Sequence, residues 1–199
     1  RVAVAALGSA AGDATEVILR DAAVTTSGDA FQAVTIDGIR YFCTGDVGQF
    51  TKEGNLMIID RKKDLVKMQQ GEYVALSKVE NALKSCQYTA LPMVYAQGTK
   101  DYCIALICPN VPNLKTLAAS LGVQGELAAL CANKDIVAAV VKDVQATCKA
   151  AKLVGFETPK KVILIDDLWT PENDMLTAVQ KLKRKEIEKK HKAQIDEVY

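Results

Sequence analysis

Apolar and polar positions change rhythm along this chain, and the rhythm assigns most of its elements. Residues 1–30 are weakly periodic, with VAVAAL and EVILRDA reading as short strands. From Phe31 the pattern sharpens. FQAVTIDGIRYFCT predicts two strands joined around Asp37-Gly38, a dipeptide that tolerates the positive φ of a tight hairpin turn. QFTKEGNLMIID predicts a second hairpin, turning at Glu53-Gly54-Asn55 and running into the apolar strand Leu56 to Ile59. Ser77-Lys78-Val79-Glu80 has the spacing of a capping box, so a helix is expected to follow to about Lys84. LPMVYAQ and YCIALICP read as strands, linked by a polar turn from Gly98 to Asp101. Helices are expected from Val111 to Leu121, ended by Gly122, and from Gly125 to Ala132. The clearest helical signal runs from Asp135 to Lys152, where Ile136, Val140, Val144 and Cys148 share one face. KKVILIDD reads as a strand, and the chain from Thr177 onward as a basic helix. A hairpin-rich start followed by strands mixed with helices makes an α+β fold, with a break in style near Asp60 and Arg61.

Composition narrows the class without naming a function. Of 199 residues, 49% are apolar and 25% charged, enough to build one domain or two small ones. A net charge of +1 gives no reason to expect nucleic acid as a partner. Six cysteines include no Cys-x-x-Cys pair, and His191 is the only histidine, so no metal-ligating residue is assigned. Most of the cysteines lie in apolar runs, where a thiol behaves as a small core residue. Reduced thiols imply an intracellular, cytoplasmic protein. No apolar run approaches the ~20 residues that a membrane-spanning helix needs. The chain starts at Arg1 with no initiator Met, and reads as a segment of something longer.

The densest chemistry lies between Tyr41 and Leu83. Asp46 sits in a Thr-Gly-Asp triplet, which reads as a tight corner. A fixed carboxylate has two acceptor oxygens and suits a vicinal diol such as a ribose. Arg61 offers a planar fork of donors that spans hydroxyls or meets phosphate. Lys63 and Lys67 are spaced to share a face, whether in a helical turn or a strand. Gly71, followed by Glu72, permits either close approach of a ligand to backbone or a bend of positive φ. These groups together suit a nucleotide with an anionic partner. The bland alternative is a solvated, aggregation-resistant sheet edge.

The order Tyr-Phe-Cys-Thr-Gly-Asp, then Gly-Asn-Leu-x-Ile-Ile-Asp-Arg-Lys-Lys-Asp-Leu-Val-Lys, then Gly-Glu-Tyr-Val-x-Leu-x-Lys-Val-Glu resembles the long-chain acyl-CoA synthetases of the adenylate-forming superfamily. VPNLKTLAASLG, FETPKKVILIDD and Leu176-Thr177 ahead of Lys181-Leu182-Lys183-Arg184 resemble the same family, so the likeness covers about Phe31 to Tyr199. The resemblance implies a large N-terminal domain and a small mobile C-terminal one, with residues 1–60 the tail of the first and residues 61–199 nearly all of the second. It implies a fatty acid, ATP and CoA as substrates, with Mg2+ accompanying ATP. An acyl-adenylate forms first, the small domain turns, and the thiol of CoA then takes the acyl group.

Residue roles follow from the same resemblance. Asp46 matches the aspartate that holds the ribose, and Arg61 the junction arginine near ribose or phosphates. Lys63 matches the hinge, and Lys67, Gly71 and Glu72 the segment that serves the thioester step. Lys181 best matches the lysine that assists adenylation. Ala178, Val179 and Gln180 interrupt the family's tight Gly-Lys spacing, which keeps Lys183 as the alternative. The family's phosphate loop ending in Pro-Lys-Gly and its Tyr-Gly-x-Thr-Glu segment are not found, and the acyl pocket would lie elsewhere, so this stretch alone is expected to be inactive. Two rival readings stand beside it. One is a non-catalytic module that meets a partner or an anionic membrane through the basic tail, whose apolar stripe is Leu182, Ile187 and Ile195. The other is an adenylate-forming ligase with a different acceptor, such as a carrier-protein thiol.

Overall fold

Hairpins dominate the first of two compact units, Arg1–Leu65, and helices the second, Val66–Tyr199. The structure, a computed structural model, describes residues 45–199 with their side chains and residues 2–6, 15–17, 33–36 and 39–44 by backbone alone. Residues 18–22 of the predicted strand EVILRDA and the side chain of Cys43 lie outside the described residues.

In the first unit, β1 (Val2–Ala6), β2 (Thr15–Val17), β3 (Ala33–Ile36), β4 (Ile39–Phe50) and β5 (Leu56–Arg61) form one sheet. The long β4 is its spine: β1 runs parallel to it, and β3 and β5 run antiparallel. Ile36 pairs with Ile39, and the predicted turn residues Asp37-Gly38 lie outside the described residues. Phe50 pairs with Leu56, and the turn between them closes with Thr51 N–H donating to the Asn55 carbonyl at 2.8 Å. One expectation needs correction. Thr44-Gly45-Asp46 is not a corner between elements but an irregularity inside β4: Ala3 faces Cys43 while Ala5 faces Val47. Three residues of β4 therefore stand against one of β1, and Gly45 takes the bulge's positive φ of +75°.

The second unit opens with a two-stranded ribbon, β6 (Leu65–Lys67) and β7 (Tyr73–Ala75), that feeds α1 (Leu76–Leu83). Next come β8 (Thr89–Tyr95), β9 (Ile104–Pro109), α2 (Val111–Ser120), α3 (Leu127–Ala132), α4 (Lys134–Ala150) and β10 (Lys161–Leu164). The chain ends on α5 (Arg184–Lys190) and α6 (Lys192–Val198). Asn133 starts α4 by accepting from the Asp135 and Ile136 N–H groups at 3.0 and 3.1 Å, two donors the first turn leaves unpaired.

Strands β10, β9 and β8 make a three-stranded sheet with β9 central, parallel to β10 and antiparallel to β8. All six residues of β9 are buried because both faces of the sheet are covered. Ala105 and Ile107 point into a core shared with α1 to α4, where Ile136, Val140, Val144 and Cys148 are fully buried. Ile104, Leu106 and Cys108 point the other way, onto Trp169, Met175, Leu176, Ile187 and Ile195. The period of two along each strand thus separates two cores. Each large aliphatic side chain so buried contributes ~1.5–3 kcal/mol of transfer free energy.

Two more expectations are corrected here. Helix α1 starts at Leu76 with Ala75 as its N-cap and no side-chain cap bond, so Ser77 and Glu80 are not a capping box. Leu76, Val79, Glu80 and Leu83 instead form its buried face, and Glu80 is recruited by a distant arginine. The tail is not helical from Thr177. Leu176 and Leu182 pair as an antiparallel bridge, and helix begins only at Arg184. A helix there would give up this pairing and the burial of Met175 and Leu176 in the second core.

Candidate functional site

Asp46 and Arg61 are brought together by strand pairing. They face each other across β4 and β5, next to the register shift at Val47 and Gly48. Arg61 Nε stands 3.8 Å from Asp46 Oδ1, and the side chains keep 48% and 31% of their exposure. The neighbouring Asp60 is buried and accepts the Arg61 backbone N–H at 2.8 Å, which fixes the strand end on which the guanidinium rides. The result is a carboxylate and a guanidinium side by side on paired strands, both partly exposed.

Lys63 is exposed in the single 3-10 turn Lys62–Asp64 that follows β5. Lys67 is the last residue of β6, so the shared face expected for these two lysines does not form: they belong to different elements. From Lys67 the chain enters a tight turn. Met68 N–H donates to the Glu72 carbonyl at 2.7 Å and Gly71 N–H to the Met68 carbonyl at 3.0 Å. Gly71 adopts φ +98° with open space around it, so backbone conformation rather than crowding calls for glycine. Lys67 and Gly71 are exposed and Glu72 is half-buried, while Met68 anchors the turn in the first core.

Lys181 lies on a different structure. Thr177 N–H donates to the Lys181 carbonyl, Gln180 N–H to the Thr177 carbonyl, both at 2.8 Å, and Lys181 N–H to Thr177 Oγ1 at 3.1 Å. These bonds close a short hairpin whose stem is the Leu176–Leu182 bridge and whose tip carries Val179 at 72% exposure. Lys181 is exposed at its end and its ammonium has no ion-pair partner among the described residues. Lys183 is engaged: it pairs with Asp174.

Sequence reasoning missed the strongest polar contact. Arg184 holds Glu80 in a two-armed ion pair, with NH1 to Oε1 at 2.6 Å and NH2 to Oε2 at 2.7 Å. Glu80 Oε1 also accepts the Val94 N–H at 2.8 Å on the sheet-edge strand β8. Glutamate on the apolar face of α1, among Leu76, Val79 and Leu83, was the available signal: a carboxylate there demands a partner. Nothing in the spacing named Arg184, 104 residues away.

Within the second unit, the Lys67–Glu72 turn and the Lys181 hairpin are rooted in different cores. Met68 belongs to the core on one face of the sheet, and Met175 and Leu176 to the core on the other.

No family model matches the chain. Individual relatives do. It is 43% identical over 172 residues to long chain acyl-CoA synthetase 8 of Arabidopsis thaliana, covering 86% of this chain and 24% of that protein. It is 40% identical over 174 residues to long-chain-fatty-acid–CoA ligase 1 of Saccharomyces cerevisiae, covering 84% and 25%. Over most of its length the chain is homologous to long-chain acyl-CoA synthetases. It spans about a quarter of the length of these relatives. Among solved structures, the adenylation domain of a carboxylic acid reductase from Segniliparus rugosus, in complex with AMP and a co-purified carboxylic acid, superposes with a TM-score of 0.69 at 25% identity over 82% of this chain and 24% of that one. The corresponding domain of the Mycobacterium chelonae enzyme gives 0.68 at 25% identity, over 80% and 23%. The mixed helix-and-strand fold is thus shared with adenylate-forming enzymes.

Two features of the family segment bear on partners. Among the described residues no group of three His, Cys, Asp or Glu side chains converges on a metal position, so no residue here is assigned to Mg2+. In the tail, Ile187 and Ile195 are fully buried in the second core and Leu182 packs against it, so the apolar stripe faces inward. Among the described residues no helix is long and apolar enough to cross a membrane.

Proposed function

We propose that this chain is the C-terminal working part of a long-chain fatty acid–CoA ligase, in which residues 1–60 complete the nucleotide-binding domain and residues 61–199 form the domain that turns between two half-reactions. The observation that carries the reading is the rooting of two cation-bearing segments in opposite layers of one small unit. A rigid unit cannot bring both to one reacting centre at once, whereas a unit that rotates presents them in turn.

In the first half-reaction the fatty carboxylate attacks the α-phosphorus of ATP and pyrophosphate leaves. Asp46 accepts from the ribose hydroxyls, and Arg61 donates to ribose or phosphate beside it. Lys181 meets the charge that spreads over the phosphoryl oxygens, as a compact ammonium with no ion-pair partner among the described residues. Lys183, neutralised by Asp174, is the weaker candidate. Rotation about Lys63, solvated at its position, then carries the Lys67–Gly71–Glu72 turn to the acyl-adenylate. There the CoA thiol attacks the acyl carbon, the thioester forms and AMP leaves. Mg2+ bound to the ATP phosphates would supply charge neutralisation there, and no residue of this chain is assigned to hold it.

The test separates the half-reactions in the full-length ligase. Lys181→Ala is expected to cut acyl-adenylate formation by about 10²-fold or more, the scale of losing one electrostatic stabiliser, while thioester formation from preformed acyl-adenylate survives. Lys183→Ala should retain most of both activities. Equal losses of both half-reactions in Lys181→Ala would remove the assignment. Thioester formation on a carrier protein but not on CoA would select the other acceptor.

A further inference from the structure

The Lys67–Glu72 turn is not held by its own bonds alone. Gln69 N–H donates to the Lys100 carbonyl at 3.0 Å, and Lys100 N–H donates to the Gln97 carbonyl at 3.1 Å. Gln97 N–H in turn donates to the hydroxyl of Tyr199 at 2.9 Å, and that hydroxyl donates its proton to the Tyr102 carbonyl at 2.9 Å. One phenol therefore clamps both ends of the connection between β8 and β9, and the middle of that connection holds the turn. The approach is close: a Cβ built on Gly98 would stand 3.1 Å from the Lys67 carbonyl.

Tyr199 is itself firmly seated. Its ring meets those of Tyr95 and Tyr102 edge-on, with centroids at 5.5 and 5.1 Å, and the Lys100 ammonium lies 5.4 Å from its centroid. Tyr102 returns a hydrogen bond from its hydroxyl to the Tyr199 carbonyl at 3.0 Å, and Lys161 Nζ donates to the adjacent Val198 carbonyl at 2.6 Å. Burial pushes the Tyr199 phenol up to about 12, so its proton stays available for Tyr102 through the physiological range. Tyr199 packs with the second core, and Met68 of the turn with the first.

We infer that Tyr199 is a positioning residue for the Lys67–Glu72 turn, holding it through the 97–102 connection in the conformation that the thioester step uses. Tyr199 touches no substrate in this role. It spares the turn from paying the ordering cost anew in each catalytic cycle. The inference rests on the reading of that turn as the thioester-step segment.

The experiment uses Tyr199→Phe in the full-length ligase, which keeps the ring and deletes the hydroxyl. Thioester formation from preformed acyl-adenylate and CoA should slow about threefold to tenfold, the equilibrium worth of one lost hydrogen bond, with acyl-adenylate formation unchanged. Hydrogen exchange at the Gln97, Lys100 and Gln69 amides should quicken, while Ile107 in the sheet stays protected. Unchanged exchange at Gln69, or equal losses in both half-reactions, would overturn the positioning role. Lys67→Ala and Gly71→Ala distinguish the two failures. If they slow thioester formation and Tyr199→Phe does not, the turn keeps its function and the inference fails. If neither affects that step, the reading of the turn fails and takes the inference with it.

Discussion

At the scale of single residues, chemistry here depends on which charges the protein itself has already neutralised. Two lysines two positions apart, Lys181 and Lys183, have the same side chain and different surroundings, because Asp174 pairs only with the second. Asp46 and Arg61 form a looser pair. The Asp46 carboxylate stands 3.8 Å from Arg61 Nε, at ion-pair range but beyond a hydrogen bond, with both groups still reaching solvent. Such a pair stabilises the fold little, on the order of 0–1 kcal/mol. Asp46→Ala in the full-length ligase is expected to weaken ATP binding by about 1–3 kcal/mol, the value of a charged hydrogen bond. Calorimetric titration with ATP checks this, and an unaltered affinity would remove the ribose role. Asp46 and Arg61 stood out in the sequence as candidates for nucleotide binding. Their pairing did not, since it depends on a strand register that a bulge shifts.

At the scale of elements, the contrast lies between periodicity and partnership. Helix α4 was legible because four apolar residues repeat at helical spacing and an asparagine caps it, all within one local stretch. The Leu176–Leu182 hairpin was not legible, because a basic segment with scattered leucines satisfies a helical pattern equally well until the second core claims Met175 and Leu176. The capping-box reading failed for a similar reason. Glu80 does not turn back on its own helix because Arg184 and the Val94 N–H supply better partners in a buried place. This pair ties α1 and the edge strand β8 to the start of α5, directly after the Lys181 hairpin. Glu80→Ala leaves the guanidinium, only 26% exposed, without its carboxylate. It is expected to destabilise the second unit by about 3–5 kcal/mol, read from denaturant unfolding. A loss below 1 kcal/mol would overturn this expectation.

At the scale of the whole molecule, burial decides how the thiols behave. Cys86, Cys103, Cys108, Cys131 and Cys148 are unpaired and buried. Burial pushes the Cys103 and Cys108 thiols up to about 12 and those of Cys131 and Cys148 up to about 11, from an ordinary value of 9.0. The sign follows directly. Below pH 9 folded and unfolded chains both keep these protons, so the thiols add no pH dependence. Between pH 9 and about 12 the unfolded chain releases protons that the folded chain retains, and stability falls as pH rises. Urea unfolding at pH 7, 9 and 10.5 should show a plateau and then a decline, with slow labelling of the native thiols at pH 8. Rapid labelling of all five at pH 8 would contradict the burial.

The amino-acid sequence by itself determined the α+β class, most strands and helices, and the order of motifs that resembles the long-chain acyl-CoA synthetases. These are local properties: side-chain periodicity, turn residues, and runs of identity do not depend on distant parts of the chain. Only the tertiary structure decided that Glu80 belongs to Arg184, that Asp174 neutralises Lys183, that Tyr199 clamps the 97–102 connection, and that the Lys67–Glu72 turn and the Lys181 hairpin root in opposite cores. Each of those facts joins residues far apart in the chain or on opposite faces of a sheet, where the partner is selected by packing and by the cost of burying a polar group alone.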